Sequence, residues 1–127
     1  MEGCMDEDAI SRHVVDSAMK VHTALGCGLL ENVYETCLAH ELAQRGLGVR
    51  KQVVMPIRYE GVALDAGYRL DLLIGEKVVV EIKAVEKMLP LHAAQLLTYL
   101  RLGGYKLGLL LNFNTVHLRD GVRRVVN

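Results

Sequence analysis

The chain is organised around Val78-Val79-Val80-Glu81-Ile82-Lys83, a short run in which two charges interrupt an apolar segment. The valines and the isoleucine predict a strand inside a core. Glu81 and Lys83 lie two positions apart, so a strand places both side chains on one face. A buried charge is costly unless it has a partner, a metal ion or water. The two charges therefore indicate a site built into a central strand.

A second apolar run, Tyr68-Arg69-Leu70-Asp71-Leu72-Leu73-Ile74, lies upstream and contains a third charge. The turn between the two runs sets whether Asp71 meets Glu81. A two-residue loop at Gly75-Glu76 would pair Asp71 with Val80 and place Glu81 on the opposite face. A three-residue loop that includes Lys77 would pair Asp71 with Glu81, with β-carbons roughly 5 Å apart. We predict this second register because it also aligns the apolar positions of both strands towards the core: Leu70, Leu72, Ile74, Val78, Val80 and Ile82.

Two carboxylates and a lysine so arranged suit metal-dependent hydrolysis of a phosphodiester. Mg²⁺ prefers hard oxygen ligands, usually one or two carboxylates together with water and substrate phosphate. Lys83 would orient the attacking water or stabilise the charge that develops on the phosphate. The alternative is a structural ion pair between Lys83 and Asp71 or Glu81 at a sheet edge.

The remaining sequence predicts helices around these strands. Apolar spacing indicates helices at roughly 6–24 and 30–45, the second with Leu30, Val33, Cys37, Leu38 and Leu42 facing inward. Further strands are expected at 49–55, 57–59, 62–64 and 105–112, and a third helix at roughly 90–102. Asp120-Gly121 predicts the turn of a C-terminal hairpin. The order predicts an α/β fold, a mixed central β-sheet flanked by helices with a C-terminal β-hairpin, in a single domain over residues 1–127.

Composition limits the classes of function. Of 127 residues, 51% are hydrophobic, which excludes a disordered chain. Lys+Arg and Asp+Glu both number 15, so affinity for nucleic acid must come from local clusters such as Arg119, Arg123 and Arg124. Three irregularly spaced cysteines and the absence of a signal core or membrane span predict a soluble cytoplasmic protein with reduced thiols: Cys4, Cys27 and Cys37.

Two helices carry further candidate site residues. Gln95 and Tyr99 lie four positions apart and share a face, from which they could contact a substrate phosphate or a base; the alternative is a pair that caps the core. Glu31 shares a face with Tyr34 and Glu35 in the second helix. It is either a third acidic group at the metal site or a carboxylate that interacts favourably with the positive N-terminal end of the helix dipole. His22 and His92 are further residues that could line the site; the alternative for each is a surface histidine with an ordinary hydrogen-bond partner.

These motifs carry a resemblance to known families. Residues 28–34 read Gly-x-x-Glu-x-x-Tyr, and the chain resembles the GxxExxY family from Ile10 to Asn127. Residues 67–73, 80–86, 95–100 and 111–114 look like further blocks of that family. The GxxExxY family is similar to the PD-(D/E)XK nuclease superfamily, although Leu70 stands where the superfamily name has proline.

The resemblance implies a restriction-endonuclease-like core with a definite site. Asp71 and Glu81-x-Lys83 become the catalytic centre, with Asp71, Glu81 and Glu31 as ligands of Mg²⁺ or Mn²⁺. Gln95 and Tyr99 match the Gln-x-x-x-Tyr element of RecB-type exonucleases, which makes them part of the same centre.

Three hypotheses follow. The leading one is a magnesium-dependent nuclease acting on DNA, with RNA as the alternative polymer. The second is a nucleic-acid-binding or protein-binding module that keeps the fold without turnover. The third is a homo-oligomer in which a partner copy supplies part of the grip on the substrate.

Overall fold

A computed structural model describes residues 5–65 and 67–127, in which three α-helices and seven strands form. The helices are α1 (Glu7–Leu25), α2 (Glu31–Gln44) and α3 (Pro90–Gly103). The strands are β1 (Val49–Val54), β2 (Ile57–Tyr59), β3 (Val62–Leu64), β4 (Arg69–Ile74), β5 (Val78–Lys83), β6 (Leu107–Asn112) and β7 (Val122–Val126). Within these residues no helix has both the length and the apolar character to span a bilayer.

Five strands form one mixed sheet in the order β1-β4-β5-β6-β7. All neighbours are antiparallel except β5 and β6, which are parallel. Helix α3 lies in the connection from β5 to β6, which a parallel pair requires. Strands β2 and β3 form a separate hairpin that turns at Glu60-Gly61. The predicted α/β fold with a mixed central sheet is confirmed.

The sheet separates two apolar cores. Helices α1 and α2 cover one face, where their side chains pack on β4, β5 and β6: Ile10, Val14, Tyr34, Leu38, Leu72, Ile74, Val80 and Leu109. Helix α3 covers the other face through Leu96 and Leu100, which pack with Leu73, Val79 and Leu110. Because Gly108 has no side chain, α3 can approach β6 closely; a Cβ there would lie 2.9 Å from Leu96 Cδ1.

Helix α2 turns a different face inward from the one we predicted. Tyr34 is fully buried, whereas Leu30 is 74% exposed and Val33 37% exposed. Leu30 precedes the helix in an extended conformation, so it does not share the helical face. The prediction of Leu30 and Val33 as core residues was therefore wrong, because the ring of Tyr34 takes the buried position.

The C-terminal hairpin forms, but not around the predicted turn. Strands β6 and β7 are antiparallel neighbours. Residues 113–121 join them and end in a short 3₁₀ turn, Leu118–Gly121. Gly121 is buried against the end of β6, where a Cβ would collide with the carbonyl oxygen of Asn112. Glycine at this position therefore permits close packing instead of a two-residue hairpin turn.

The cysteines in the described residues do not form disulfides. Cys27 is exposed and Cys37 is half-buried, and both are free thiols. Cys4 lies outside the described residues.

Candidate active site

The β4–β5 hairpin adopts the predicted three-residue register. Leu72 pairs with Val80 and Ile74 with Val78, which leaves residues 75–77 as the loop. The same alignment places Asp71 opposite Glu81, one position beyond the last backbone pair. The predicted meeting of the two carboxylates is therefore present.

The two carboxylates replace backbone pairing at this position. The Asp71 N–H donates to Glu81 Oε2 at 3.0 Å, and the Ile82 N–H donates to Asp71 Oδ2 at 2.8 Å. Each carboxylate thus satisfies a backbone donor of the opposite strand, a group that would otherwise be left without a partner. This crossed arrangement fixes both side chains and leaves a second oxygen on each for another partner.

Gln52 of β1 approaches Asp71 from the other side, and no motif in the sequence predicts it there. The pairing of β1 with β4 is interrupted at these two residues, and Gln52 has a φ of 52°. Residues other than glycine seldom adopt positive φ. The Gln52 amide donates to Glu35 Oε1 at 2.9 Å and makes a longer contact of 3.4 Å with Asp71 Oδ1. Gln52 therefore joins α2 to the carboxylate pair.

The distortion at Gln52 also changes which core Leu70 enters. We predicted that Leu70 and Leu72 would face the same core. Instead Leu72 packs under α1 and α2, while Leu70 packs under α3. Val49 and Val53 of β1 diverge in the same way. A regular strand keeps positions two or four apart on one face, so both strands rotate at this point and the prediction for Leu70 was wrong.

Burial dominates the electrostatics of the pair. Glu81 is only 7% exposed, and its burial, reinforced by the charge of Asp71, raises the pKa of its carboxyl to about 8. Burial likewise raises the pKa of half-buried Asp71. The hydrogen bond from the Ile82 N–H lowers this pKa but does not cancel the effect of burial. Two neighbouring carboxyls resist ionising together unless a positive charge joins them. The pair therefore favours a proton or a cation between its oxygens.

Lys83 lies close enough for its charge to act on both carboxylates. Its ammonium opposes the rise in the pKa of Asp71 and of Glu81. Among the described residues, however, the salt bridges are Lys20–Glu41, Arg45–Asp16, Arg50–Glu76 and Arg124–Asp8. The direct ion pair considered as the alternative is therefore absent from this part of the chain. The Lys83 side chain is half-buried on the strand face that it shares with Glu81.

Glu31 reaches the same end of the sheet but has a different partner. Its Oε2 accepts a hydrogen bond from the Ala84 N–H at 3.2 Å, just beyond β5. Its charge also raises the pKa of Asp71 and of Glu35, which places the three acids in one neighbourhood. Burial is the main cause of the raised pKa of Glu35. Glu31, at the start of α2, thus lies at the edge of this group of acidic residues.

Tyr34 does not line the site, but it supports the turn that leads to Glu31. Its ring stacks on Phe113 with centroids 4.5 Å apart and an interplanar angle of 11°. Its hydroxyl donates to the Gly26 carbonyl at 2.7 Å and accepts from the Leu29 N–H at 3.1 Å. The tyrosine of the Gly-x-x-Glu-x-x-Tyr motif therefore holds the loop between α1 and α2.

Tyr99 and Gln95 lie together on α3, which covers the sheet face that carries Asp71 and Glu81. Burial raises the pKa of the Tyr99 phenol, and the charges of Glu81 and Asp71 add to the rise. Both Gln95 and Tyr99 line a groove that also contains Tyr68. The predicted shared face is confirmed, and it opens onto this groove.

Asn112 is a second residue that we did not single out for a site role. It pairs in register with Lys83, is 3% exposed and clamps the segment that follows β5. Its Nδ2 donates to the Val85 carbonyl at 2.9 Å, and its Oδ1 accepts from the Val85 and Asn114 N–H groups at 3.1 Å each. A polar side chain at the buried end of a strand was the signal that could have identified it.

The donor set suits a cation that keeps most of its water. Within residues 5–65 and 67–127, no three His, Cys, Asp or Glu side chains converge so as to hold an ion. Zinc in structural sites needs four protein ligands, whereas Mg²⁺ is commonly bound through one or two carboxylates. The crossed pair of Asp71 and Glu81 fits the second requirement.

The two histidine candidates have local structural partners. The His22 Nε2–H donates to the Thr115 carbonyl at 2.8 Å, which ties α1 to the loop after β6. His92 Nδ1 accepts from the Leu89 N–H at 3.1 Å and caps the start of α3.

The predicted arginine cluster does not form. Arg124 pairs with Asp8 of α1, and Arg123, its neighbour along β7, points to the opposite face. Arg119 lines a separate cavity of about 500 Å³ between α1 and the 113–121 connection. Proximity in sequence misled the prediction because alternation along the strand separates the side chains.

Comparison with known families places this geometry in context. Residues 8–125 match the family model described as the PD-(D/E)XK nuclease superfamily. The match spans both carboxylates, Lys83 and α3, and the mixed sheet with its flanking helices fits the restriction-endonuclease-like fold. The chain has no significant match among curated proteins or among solved structures.

Proposed function

The chain belongs to the PD-(D/E)XK nuclease superfamily, and from this premise we propose that it is a divalent-metal-dependent nuclease that hydrolyses phosphodiester bonds of DNA. The observation that carries the proposal is the crossed pair of Asp71 and Glu81 with Lys83 on the same strand face. The resemblance of residues 28–34 to the GxxExxY family supports the same reading.

Asp71 and Glu81 would hold Mg²⁺ or Mn²⁺, with Glu31 as a third acidic group. Such an ion neutralises charge on a phosphate and lowers the pKa of a bound water. The raised pKa of both carboxyls supports this assignment, because a divalent cation would relieve the cost of two buried negative charges.

Lys83 would act on the phosphate or on the attacking water. Its half-buried ammonium influences both carboxylates without an ion pair to either. A fixed donor in a partly dry site stabilises developing negative charge more strongly than one in bulk water. Tyr99 and Gln95, on the neighbouring helix, would position the strand to be cut.

The direct test is cleavage of end-labelled single-stranded and duplex DNA, and of the matching RNA, with Mg²⁺, Mn²⁺ or a chelator. We expect Asp71→Asn and Lys83→Ala to lose about 10²-fold or more in rate, as the removal of one electrostatic catalytic group does. Lys87→Ala and Glu86→Gln are matched controls, because both side chains are exposed just beyond β5. Cleavage that persists in both site variants, or in the chelator, would contradict the proposal.

A second candidate is a binding module without turnover. The net charge of zero favours it, because a nuclease gains affinity from basic surface. Calorimetric titration with Mg²⁺ separates the two functions: binding that Asp71→Asn abolishes supports the nuclease, and no binding at millimolar Mg²⁺ supports the module.

A further inference from the structure

A groove runs beside the carboxylate pair on the α3 side of the molecule. Its volume is about 230 Å³, and its walls come from α3, from β2 and from the residue preceding β4: Ile57, Tyr68, Leu91, Ala94, Gln95, Thr98, Tyr99 and Leu102. Pockets for drug-sized ligands measure roughly 300–1,000 Å³. The groove is therefore smaller than a typical drug-sized pocket and is of a size for one flat ring system.

Two tyrosines and exposed aliphatic side chains give the groove its character. The rings of Tyr68 and Tyr99 lie with centroids 6.0 Å apart at an angle of 46°. Tyr68 is 46% exposed, and Leu91 and Leu102 at the rim are 61% and 44% exposed. An apolar groove lined by aromatic side chains gains free energy when a flat aromatic ligand covers it.

Tyr99 connects the groove to the proposed catalytic pair. It lines the groove and packs into the same apolar core as Leu73 and Val79, on the sheet face that carries Asp71 and Glu81. Tyr68 lies three positions before Asp71, so the groove reaches the start of β4. Gln95 at the groove wall supplies an amide that can both donate and accept hydrogen bonds.

We infer that this groove seats one unpaired nucleobase of the substrate, so that the protein acts on single strands or on unpaired ends. The inference rests on the proposed nuclease function. Bases within a duplex have both faces covered by their neighbours, whereas an unpaired base can stack on an aromatic side chain. Stacking also suits a chain of net charge zero, which gains little affinity from phosphate contacts.

The test is a binding measurement in chelator, where the proposed cleavage cannot occur. Fluorescence anisotropy would compare a labelled 12-nucleotide single strand with its blunt duplex. We expect tighter binding of the single strand, roughly a five- to hundred-fold loss in Tyr68→Ala, and near-normal binding in Tyr68→Phe, which keeps the ring. Tyr59→Ala is the matched control, because Tyr59 is 67% exposed on β2 and does not line the groove.

A second variant keeps the inference testable if Tyr68→Ala does not fold. Leu91→Glu places a negative charge at the groove rim in the first turn of α3, where an acidic residue suits the helix. We expect it to weaken single-strand binding at least five-fold while the circular dichroism spectrum stays unchanged.

Several results would overturn the inference. Equal affinity for strand and duplex would do so, as would unchanged binding in both Tyr68→Ala and Leu91→Glu. Self-association that Leu91→Glu abolishes would assign the groove to a second copy of the chain. Because binding is measured without cleavage, an inactive wild type that keeps its single-strand preference would contradict only the nuclease proposal.

Discussion

Among single residues, Glu81 carries a structural cost that the proposed metal ion would relieve. Its carboxyl is buried beside that of Asp71 and holds the Asp71 N–H at 3.0 Å. A carboxyl with a raised pKa keeps its proton in the folded state at pH values where the unfolded chain releases it. The folded protein therefore becomes less stable as the pH rises from about 4.5 to about 8, the pKa of Glu81.

This linkage predicts that Glu81→Gln is more stable than the wild type at high pH. The amide oxygen can still accept the Asp71 N–H but carries no charge. We expect a gain of roughly 0.5–2 kcal/mol in the free energy of unfolding at pH 8.5, which is the usual range for a single stabilising substitution, and a smaller gain at pH 5. Urea unfolding in chelator at both pH values measures it, with Glu86→Gln as control. An equal effect at both pH values would contradict the raised pKa.

The sequence was enough to find Asp71, Glu81 and Lys83, because strand alternation and the length of one loop fix their faces. It was not enough to find Gln52. That side chain reaches Asp71 only because β1 pairs with β4 and because its own φ is positive. Both facts depend on contacts between residues distant in sequence.

At the scale of elements, the loop between α1 and α2 is built around Tyr34. The hydroxyl bonds to two backbone groups of the loop, and the ring stacks on Phe113. The loop leads directly to Glu31, whose carboxylate contacts the segment after β5. The position of α2 at the site therefore depends on a residue inside the core.

We predict that Tyr34→Phe destabilises the protein by about 1–3 kcal/mol. The Gly26 carbonyl and the Leu29 N–H would lose their buried partner, while the ring stack would remain. Thermal or urea unfolding measures the change, and Tyr59→Phe is the matched control because Tyr59 is 67% exposed. Equal stability of the two variants would show that the hydroxyl does not hold the loop.

The two hairpins illustrate how far local signals extend. The β4–β5 loop was predictable because two apolar strands of known face flank it. The Asp120-Gly121 pair gave the same kind of signal, yet Gly121 serves packing against Asn112 instead. A turn dipeptide predicts a hairpin only when both of its flanks are strands, and residues 113–117 are not.

At the scale of the whole molecule, the balance of charge limits how the protein grips a substrate. Basic and acidic residues both number 15, and the C-terminal arginines point in different directions. Affinity that comes from phosphate contacts decreases steeply as the salt concentration increases. A protein that relies on stacking in one groove should show little of this dependence.

We therefore predict a shallow salt dependence of binding to a single strand. The slope of log K against log salt concentration should be about −1.4 to −2.1 between 50 and 200 mM, equivalent to two or three phosphate contacts. Anisotropy titration in chelator measures it. A slope steeper than about −4 would mean about six phosphate contacts and would contradict binding that relies on one stacking groove. Sedimentation would then show whether an oligomer supplies part of the contact surface.

A crystal soaked with Mn²⁺ would show whether Asp71 and Glu81 together hold a divalent cation. We predict an anomalous difference peak within about 2.2 Å of one carboxylate oxygen from each residue, near the distances typical of small hard cations. The peak should be absent from a crystal of Asp71→Asn soaked in the same way. A wild-type crystal with no peak between these carboxylates would contradict the claim.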